Sequence, residues 1–345
     1  MKTVDSIRDN QNLTLEQLIY LLETEDVQVL DHLRSEAQCI AQAHYKNNVF
    51  IRGLIEISSF CKNNCYYCGL RRSNKTAVRY RLTDDEIYSC CEEGYELGFR
   101  TFVMQGGEDA WFDDERMCRI ISTVHAKFPD CAITLSLGER SRESYQKMFD
   151  AGADRYLLRH ETAIPEHYAQ LHPKEMSWQH RINCIYTLQE IGYQVGCGFM
   201  VGSPYQTYES LFADLQFIRT LKPAMVGIGP FIPAHDTPFA NQPAGTADRT
   251  VRLLALIRLI HPYVLLPATT ALGTISAGGR EMGILSGANV IMPNLSPKKH
   301  RKDYSIYDNK LCTGEEAAES RAKIDASIRE IGYQTVVDRG DYSIA

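Results

Sequence analysis

Leu54-Ile-Glu-Ile-Ser58-Ser-Phe-Cys61-Lys-Asn-Asn-Cys65-Tyr-Tyr-Cys68 joins an apolar run to three thiols spaced by three residues and then by two. A strand that ends in so short a loop can turn three sulfurs toward one point, and thiolates are the ligands iron–sulfur clusters prefer. Three ligands leave one iron of a four-iron cluster open to bind and reduce a small molecule. A zinc knot is the alternative, and it needs a fourth ligand from elsewhere. The nearest other cysteines, Cys39 and Cys90, stand in stretches that read as helix.

Working outward, short apolar runs alternate with helical periodicity from Val49 onward. Strands are predicted at 51–58, 101–104, 132–137, 155–158, 195–200, 225–229, 265–269 and 290–292, with helices at 83–97, 115–127, 141–151, 177–191, 207–221, 247–260 and 280–286. Thr83-Asp-Asp-Glu86 reads as a capping box, and Gly98, Gly152 and Gly192 fall just past helix ends. Strand followed by helix, about eight times over, predicts an α/β fold: a complete (β/α)8 TIM-type barrel with N-terminal helices and a C-terminal helical extension. The expected division is an N-terminal helical extension over 1–48, the barrel over 49–295, and an extension packing on it over 296–345. Thr14-Leu-Glu-Gln17 opens one N-terminal helix to about Glu23, and a second runs from about Asp31 to Lys46. These two are expected to close the bottom of the barrel. The tail after Cys312 reads as one helix, about 315–331, and a polar end.

Composition narrows the function. A hydrophobic share of 44% in 345 residues supports a full core. A net charge of −6 with both signs interspersed argues against nucleic acid. No apolar run is long enough to span a bilayer, and Met1-Lys-Thr-Val-Asp5 lacks a signal-peptide core. Eleven cysteines, an odd number without paired spacing, suggest a reducing compartment, so the cytoplasm is expected.

Barrel enzymes do their chemistry at the C-terminal ends of the strands, and those ends carry the polar residues here. Gln105-Gly106-Gly107-Glu108 offers glycines that let a ligand approach the backbone and a carboxylate that can hold an ammonium group, although Gly-Gly often marks a plain turn. Arg159-His160-Glu161 offers a carboxylate for ribose hydroxyls and an arginine for a carboxylate; a structural ion pair is the plainer reading. Arg181 falls in the first turn of the next helix, near the mouth. Thr269-Thr270-Ala271-Leu-Gly273-Thr274 is either a small-anion loop or a helix cap. Tyr304 and Tyr307 follow Met292-Pro-Asn294 and can reach the mouth. The cysteines at 39, 90, 91, 118, 131, 184 and 197 read as small buried apolar side chains, and His172 and His235 as structural.

The spacing CxxxCxΦC, with Tyr67 before the third cysteine, resembles the signature of the radical S-adenosylmethionine (SAM) enzymes. There the open iron takes the amino and carboxylate groups of SAM, and one electron splits SAM into methionine and a 5′-deoxyadenosyl radical. Longer phrases resemble the HydE family of [FeFe]-hydrogenase maturases: Cys68-Gly-Leu-Arg-Arg72, Thr134-Leu-Ser-Leu-Gly-Glu139, Arg155-Tyr-Leu-Leu-Arg-His-Glu-Thr-Ala163, Met225-Val-Gly-Ile-Gly-Pro-Phe-Ile-Pro233, Asp236-Thr-Pro238, Pro267-Ala-Thr-Thr-Ala271 and Gly287-Ala-Asn-Val-Ile-Met-Pro-Asn294.

The resemblance implies that Cys61, Cys65 and Cys68 hold a [4Fe-4S] cluster, and that Tyr67, Gly106, Gly107, Glu108, Glu161 and Arg181 hold SAM. It implies that Thr134, Ser136, Arg159, Thr269, Thr270, Ala271, Met292, Tyr304 and Tyr307 line the substrate cavity. Its implied substrate is an iron–carbonyl–cyanide–cysteine precursor from the maturase HydG, on the way to HydF, with transient contact to both and an electron from a protein such as ferredoxin or flavodoxin. Some members carry a second iron–sulfur site from a late cysteine and a CxxC. Cys312 is present, but Ser320 and Lys323 stand where the others are expected, so one cluster is predicted. The alternatives are a methylornithine-synthase-like mutase acting on lysine, biotin-synthase-like chemistry, which would need a second cysteine set, a HydE-like enzyme with another small substrate, and a non-catalytic iron–sulfur electron carrier.

Overall fold

The computed structural model describes residues 1–311, 314 and 316–343. The first predicted strand is interrupted at Arg52, giving Asn48–Ile51 and Gly53–Ser58. Every residue of Gly53–Ser58 is buried, as befits a parallel strand covered on both faces. From it the parallel sheet continues through Thr101–Gly106, Ala132–Ser136, Arg155–Leu157, Gln194–Cys197 and Met225–Val226. Single parallel bridges carry the pairing onward, from Met225 to Leu265 and from Pro267 to Val290. Val290 pairs with Phe50 and Asn294 with Leu54. The fold is therefore α/β with parallel strands.

Helices between the strands begin where capping chemistry placed them. Asp84–Glu96 has the full capping box of Thr83 and Glu86, and Trp178–Ile191 ends at Gly192 with φ 113°, a left-handed angle that a side chain would strain. Short helices at Pro165–Leu171 and Lys298–Arg301, and one at Lys2–Asn10, lie outside the predicted set; each offers two turns or less of periodicity, or a pattern of only two buried residues, Val4 and Ile7.

Two expectations are corrected at the ends of the chain. Most of Leu15–Glu23 and Val27–Tyr45 lies against outer helices, chiefly Ala247–Ile260, rather than beneath the sheet, and Tyr45 at the end of the second packs on Phe50. Ala247–Ile260 is apolar nearly all round, burying Leu253, Leu254, Leu256, Ile257 and Leu259, so its outer face needs a cover. Arg252 ties the layers by donating to the Thr24 carbonyl at 2.8 Å.

The bottom is met by the tail. After the helix Ala317–Glu330, a strand unforeseen in the polar end, Gln334–Val336, pairs in parallel with Asn48–Ile51. Beyond it the Arg339 carbonyl accepts from Thr101 Oγ1 at 2.8 Å, Arg339 pairs with Asp154 at 2.7 Å, and Asp341 pairs with buried Arg155 at 2.5 Å. These contacts all lie at the N-terminal ends of the strands. Among the described residues no helix is long and apolar enough to cross a membrane.

Candidate active site

The cysteine loop follows Gly53–Ser58 and is held from within. Arg79 donates to the carbonyls of Ser59, Leu70 at 2.9 Å, Arg71 at 2.8 Å and Asn74 at 3.2 Å, so one guanidinium gathers both ends of the loop. Gly107 lets the next strand end pass against it: a Cβ there would lie 2.2 Å from the Phe60 oxygen and 2.7 Å from Cys61 Cβ. The closest approach to this glycine is thus made by the loop itself.

Cys61, Cys65 and Cys68 are partly buried. Burial raises the pKa of all three thiols, that of Cys68 to about 12, so each holds its proton until a metal displaces it. Among the described residues, the trio of Cys, His, Asp or Glu ligand atoms that closes within 4.8 Å is Asp5, His32 and Glu36. At least one pair of the three loop sulfurs therefore stands farther apart than that. Sulfurs on one zinc would stand about 3.8 Å apart, given Zn–S bonds of about 2.3 Å. The Asp5 trio already holds a cation, with Arg8 at 2.8 Å from Glu36.

Around the loop stand polar groups from three strand ends. Glu108 Oε1 accepts from the Glu139 amide at 3.0 Å. Its other oxygen is buried without a hydrogen bond; Lys62 Nζ approaches it at 3.0 Å from the exposed side, outside hydrogen-bonding geometry. Arg181 is buried, with Nε 2.5 Å from Glu139 Oε1 and Nη1 donating to the Arg159 carbonyl at 3.1 Å. Glu161 sits at φ 64° and accepts from Arg159 at 2.9 Å. A non-glycine residue at such an angle is strained and is held by its surroundings. Here the surroundings are backbone: the Glu161 amide donates to the Gly198 carbonyl at 3.0 Å.

Tyr67 is fixed through His172. The Tyr168 carbonyl, which can only accept, lies 3.0 Å from His172 Nδ1, so Nδ1 carries the proton and Nε2 accepts from the Tyr67 hydroxyl at 3.1 Å. Burial lowers the His172 pKa to about 4, which keeps the ring neutral.

Residues 55–218 match the radical SAM superfamily. The [FeFe] hydrogenase maturase subunit HydE of Thermotoga maritima is 44% identical over 307 residues, covering 89% of this chain and 87% of that one. The chain belongs to the HydE family of radical SAM enzymes. The 3-methylornithine synthase of Methanosarcina barkeri is 28% identical over 309 residues, 89% of this chain and 87% of that protein. Among solved structures, methylornithine synthase (PylB) superposes with a TM-score of 0.84 at 26% identity over 97% of each chain. The maturase HydG superposes with a TM-score of 0.81 at 22% identity over 97% of this chain and 75% of its own, which shows a shared fold.

In this HydE-family chain the remaining expected residues separate by depth. Thr134 lies deep in the sheet beside Arg52 and Arg155, with its hydroxyl buried and unpartnered, and Ser136 is two residues nearer the mouth on the same strand. Tyr304 is buried and accepts from Gln105 at 3.3 Å, whereas Tyr307 is only partly buried. Met292 packs against the group of Phe50, Met225 and Leu265. The hydroxyl-rich loop proves to be a helix start: Thr269 Oγ1 accepts from the Leu272 amide at 3.4 Å, with Thr270 and Ala271 in the first turn of Thr270–Ile275. Cys39 is exposed and Cys118 partly so, correcting the expectation that both are buried. Cys312 lies outside the described residues; Ser320 is buried on Ala317–Glu330, and Lys323 pairs with Glu319 at 3.0 Å on its exposed face.

Sequence reasoning missed three site residues. Glu139 anchors Arg181, and the signal available was an acid just beyond a strand end. Glu56 is fully buried within Gly53–Ser58, paired with Lys310 and with Asn294 Nδ2 at 2.9 Å; a lone acid inside an apolar run was its signal. His172 is read from the sequence as structural only, because tertiary contact alone brings it to Tyr67.

Proposed function

We propose that this chain cleaves SAM reductively and directs the resulting 5′-deoxyadenosyl radical at a small iron–carbonyl–cyanide–cysteine precursor during [FeFe]-hydrogenase maturation. The observation that carries the reading is Glu108 beside the three cysteines: one oxygen is held by the Glu139 amide, and the other, buried without a hydrogen bond, is met by the ammonium of exposed Lys62, so an ammonium group fits there. When bound, one cluster on Cys61, Cys65 and Cys68 supplies the electron that breaks the SAM sulfur–carbon bond. Glu108 takes the amino group of SAM, with Lys62 swinging to solvent and Gly106 and Gly107 keeping the backbone close. Arg181 faces its carboxylate, while Glu161 and Tyr67 orient the nucleoside. Arg159, Thr134, Ser136, Thr269, Thr270, Ala271, Met292, Tyr304 and Tyr307 line the path inward.

A closed barrel suits this chemistry, since a primary carbon radical must be kept from water. The Leu54–Asn294 and Pro267–Val290 bridges support a complete (β/α)8 ring over 49–295, with 1–48 packed outside, Tyr304 and Lys310 on the side of the strand ends, and 334–341 returning beneath it. Transient contact with HydG and HydF, and a cytoplasmic site of action, follow from the same reading.

Anaerobic turnover of the reconstituted protein with SAM, dithionite and the HydG-derived iron–cysteine complex tests it. Release of 5′-deoxyadenosine that depends on that complex is the expected result. The structural likeness to methylornithine synthase makes lysine the control; turnover driven by lysine would make the enzyme a mutase. Iron counts near four per chain are expected for a single cubane, and about eight would show a second cluster.

A further inference from the structure

The chain-wide mixing of charges conceals one exception. Between Glu56 and Asp84 the sequence has no acidic residue, yet it carries Lys62, Arg71, Arg72, Lys75, Arg79 and Arg81, in a protein of net charge −6. Two of these are neutralised, Lys62 by Glu108 and Arg81 by Asp109. Among the described residues no carboxylate pairs with the other four. Arg71 donates to the Asn64 amide oxygen at 2.9 Å, and Arg79 spends its donors on loop carbonyls. Arg72 and Lys75 are exposed. Their positive charge is therefore presented outward on the back of the loop that holds the three cysteines.

Apolar surface accompanies the charge. Val78 is 58% exposed and Trp111 is 50% exposed, the indole flanked by Arg81 at 5.3 Å and Arg116 at 4.7 Å. An exposed tryptophan between arginines is the composition of a binding hot spot rather than of a solvated face. A recess beside Gly69 is walled by Asn74, Thr76, Ala77 and Val78 and, opposite, by Lys302. The carboxylates on its far wall are engaged: Asp308 with His235 at 2.6 Å, and Asp303 with His300 at 3.6 Å.

We propose that the outward face of residues 62–81, with Trp111 at its edge, is the docking surface for a small acidic one-electron carrier protein. The inference rests on the reductive reading of the site. Electron transfer falls steeply with distance, so the carrier must land close to the cysteines, and this is the face on which their loop reaches solvent. The carrier gives up one electron and leaves oxidised by one, while the cluster site gains that electron; no bond is made or broken in docking. A basic patch on an otherwise acidic protein steers an acidic partner to this face and repels it from the rest. A short-lived contact of this kind needs only a small interface.

The test uses the cluster-loaded full chain and an acidic flavodoxin-type flavoprotein as the probe. The double variant Arg72→Glu/Lys75→Glu reverses exposed charge without touching the cysteines. Its affinity for the oxidised flavoprotein, measured by calorimetry at low salt, is expected to fall about tenfold or more, and the salt dependence to shrink. 5′-Deoxyadenosine formation driven by the reduced flavoprotein falls with it, while the dithionite-driven rate stays at the wild-type value. Arg142→Glu/Lys147→Glu, the same charge change on the helix Arg142–Asp150, is expected to leave binding unaltered. Equal binding by wild type and the loop variant overturns the proposal, as does equal weakening by the control pair. A wild type inactive with dithionite would instead refute the SAM-cleaving reading, and the binding measurements would still decide the surface.

Discussion

Arg181 and Glu139 meet at 2.5 Å, the guanidinium arriving on the helix Trp178–Ile191 and the carboxylate on the turn after Ala132–Ser136. The same Glu139 offers its amide to Glu108, so one residue orients both groups assigned to the methionine part of SAM. Glu139→Gln keeps the volume and the amide but removes the charge. SAM affinity is expected to weaken about tenfold, equivalent to about 1.4 kcal/mol, with iron loading unchanged. Equilibrium dialysis of SAM against the loaded variant checks this, and wild-type affinity would dissociate Glu139 from SAM binding.

Gly107 and Gly106 separate by what surrounds them. A methyl at Gly107 would strike the Phe60 carbonyl and push Cys61, whereas at Gly106 the nearest atom, Ile57 Cγ1, stands 3.4 Å away. Gly107→Ala is expected to lose about half or more of its iron after reconstitution, because ligands displaced by even 1 Å fail to close a site. Gly106→Ala retains its iron. Similar iron contents in the two variants would refute the steric account.

Acid should destabilise the fold through buried histidines. His261 has its Nε2 2.9 Å from the Pro223 carbonyl, and burial lowers its pKa from 6.5 to about 4. The unfolded chain binds this proton first, so the stability is fully present above pH 6.5 and is lost as pH falls toward 4. Between pH 7 and 5 the loss from this one group is about 2 kcal/mol. Urea unfolding at the two pH values should show a smaller difference for His261→Gln than for wild type; an unchanged difference would move the effect to other groups, His172 first.

Asp341 pairs with Arg155, which is only 3% exposed, while Asp341 itself is 39% exposed. Removing the acid leaves a buried arginine short of its counter-charge. Asp341→Asn is expected to cost about 2 kcal/mol, below the usual penalty for a fully buried pair because water screens one side. Chemical denaturation measures it, and a loss under about 0.5 kcal/mol, the range of an ordinary surface change, would show the tail contact to be passive.

The sequence by itself determined the strand and helix order, the cysteine triad and the candidate groups at strand ends. Each of these depends on neighbours along the chain: capping boxes, periodicity, and thiols close enough to share one site. It also carried the family resemblance, since long phrases such as Arg155-Tyr-Leu-Leu-Arg-His-Glu-Thr-Ala163 are local strings. Tertiary structure decided the rest. Whether Thr269 caps a helix or cradles an anion depended on the fold of the residues after it. That His172 holds Tyr67 across 105 positions, that Lys310 reaches Glu56 across 254, and that the tail strand joins Asn48–Ile51 all depend on non-local packing. No periodicity records such contacts, because they are chosen by which buried polar groups find partners once the chain has closed on itself.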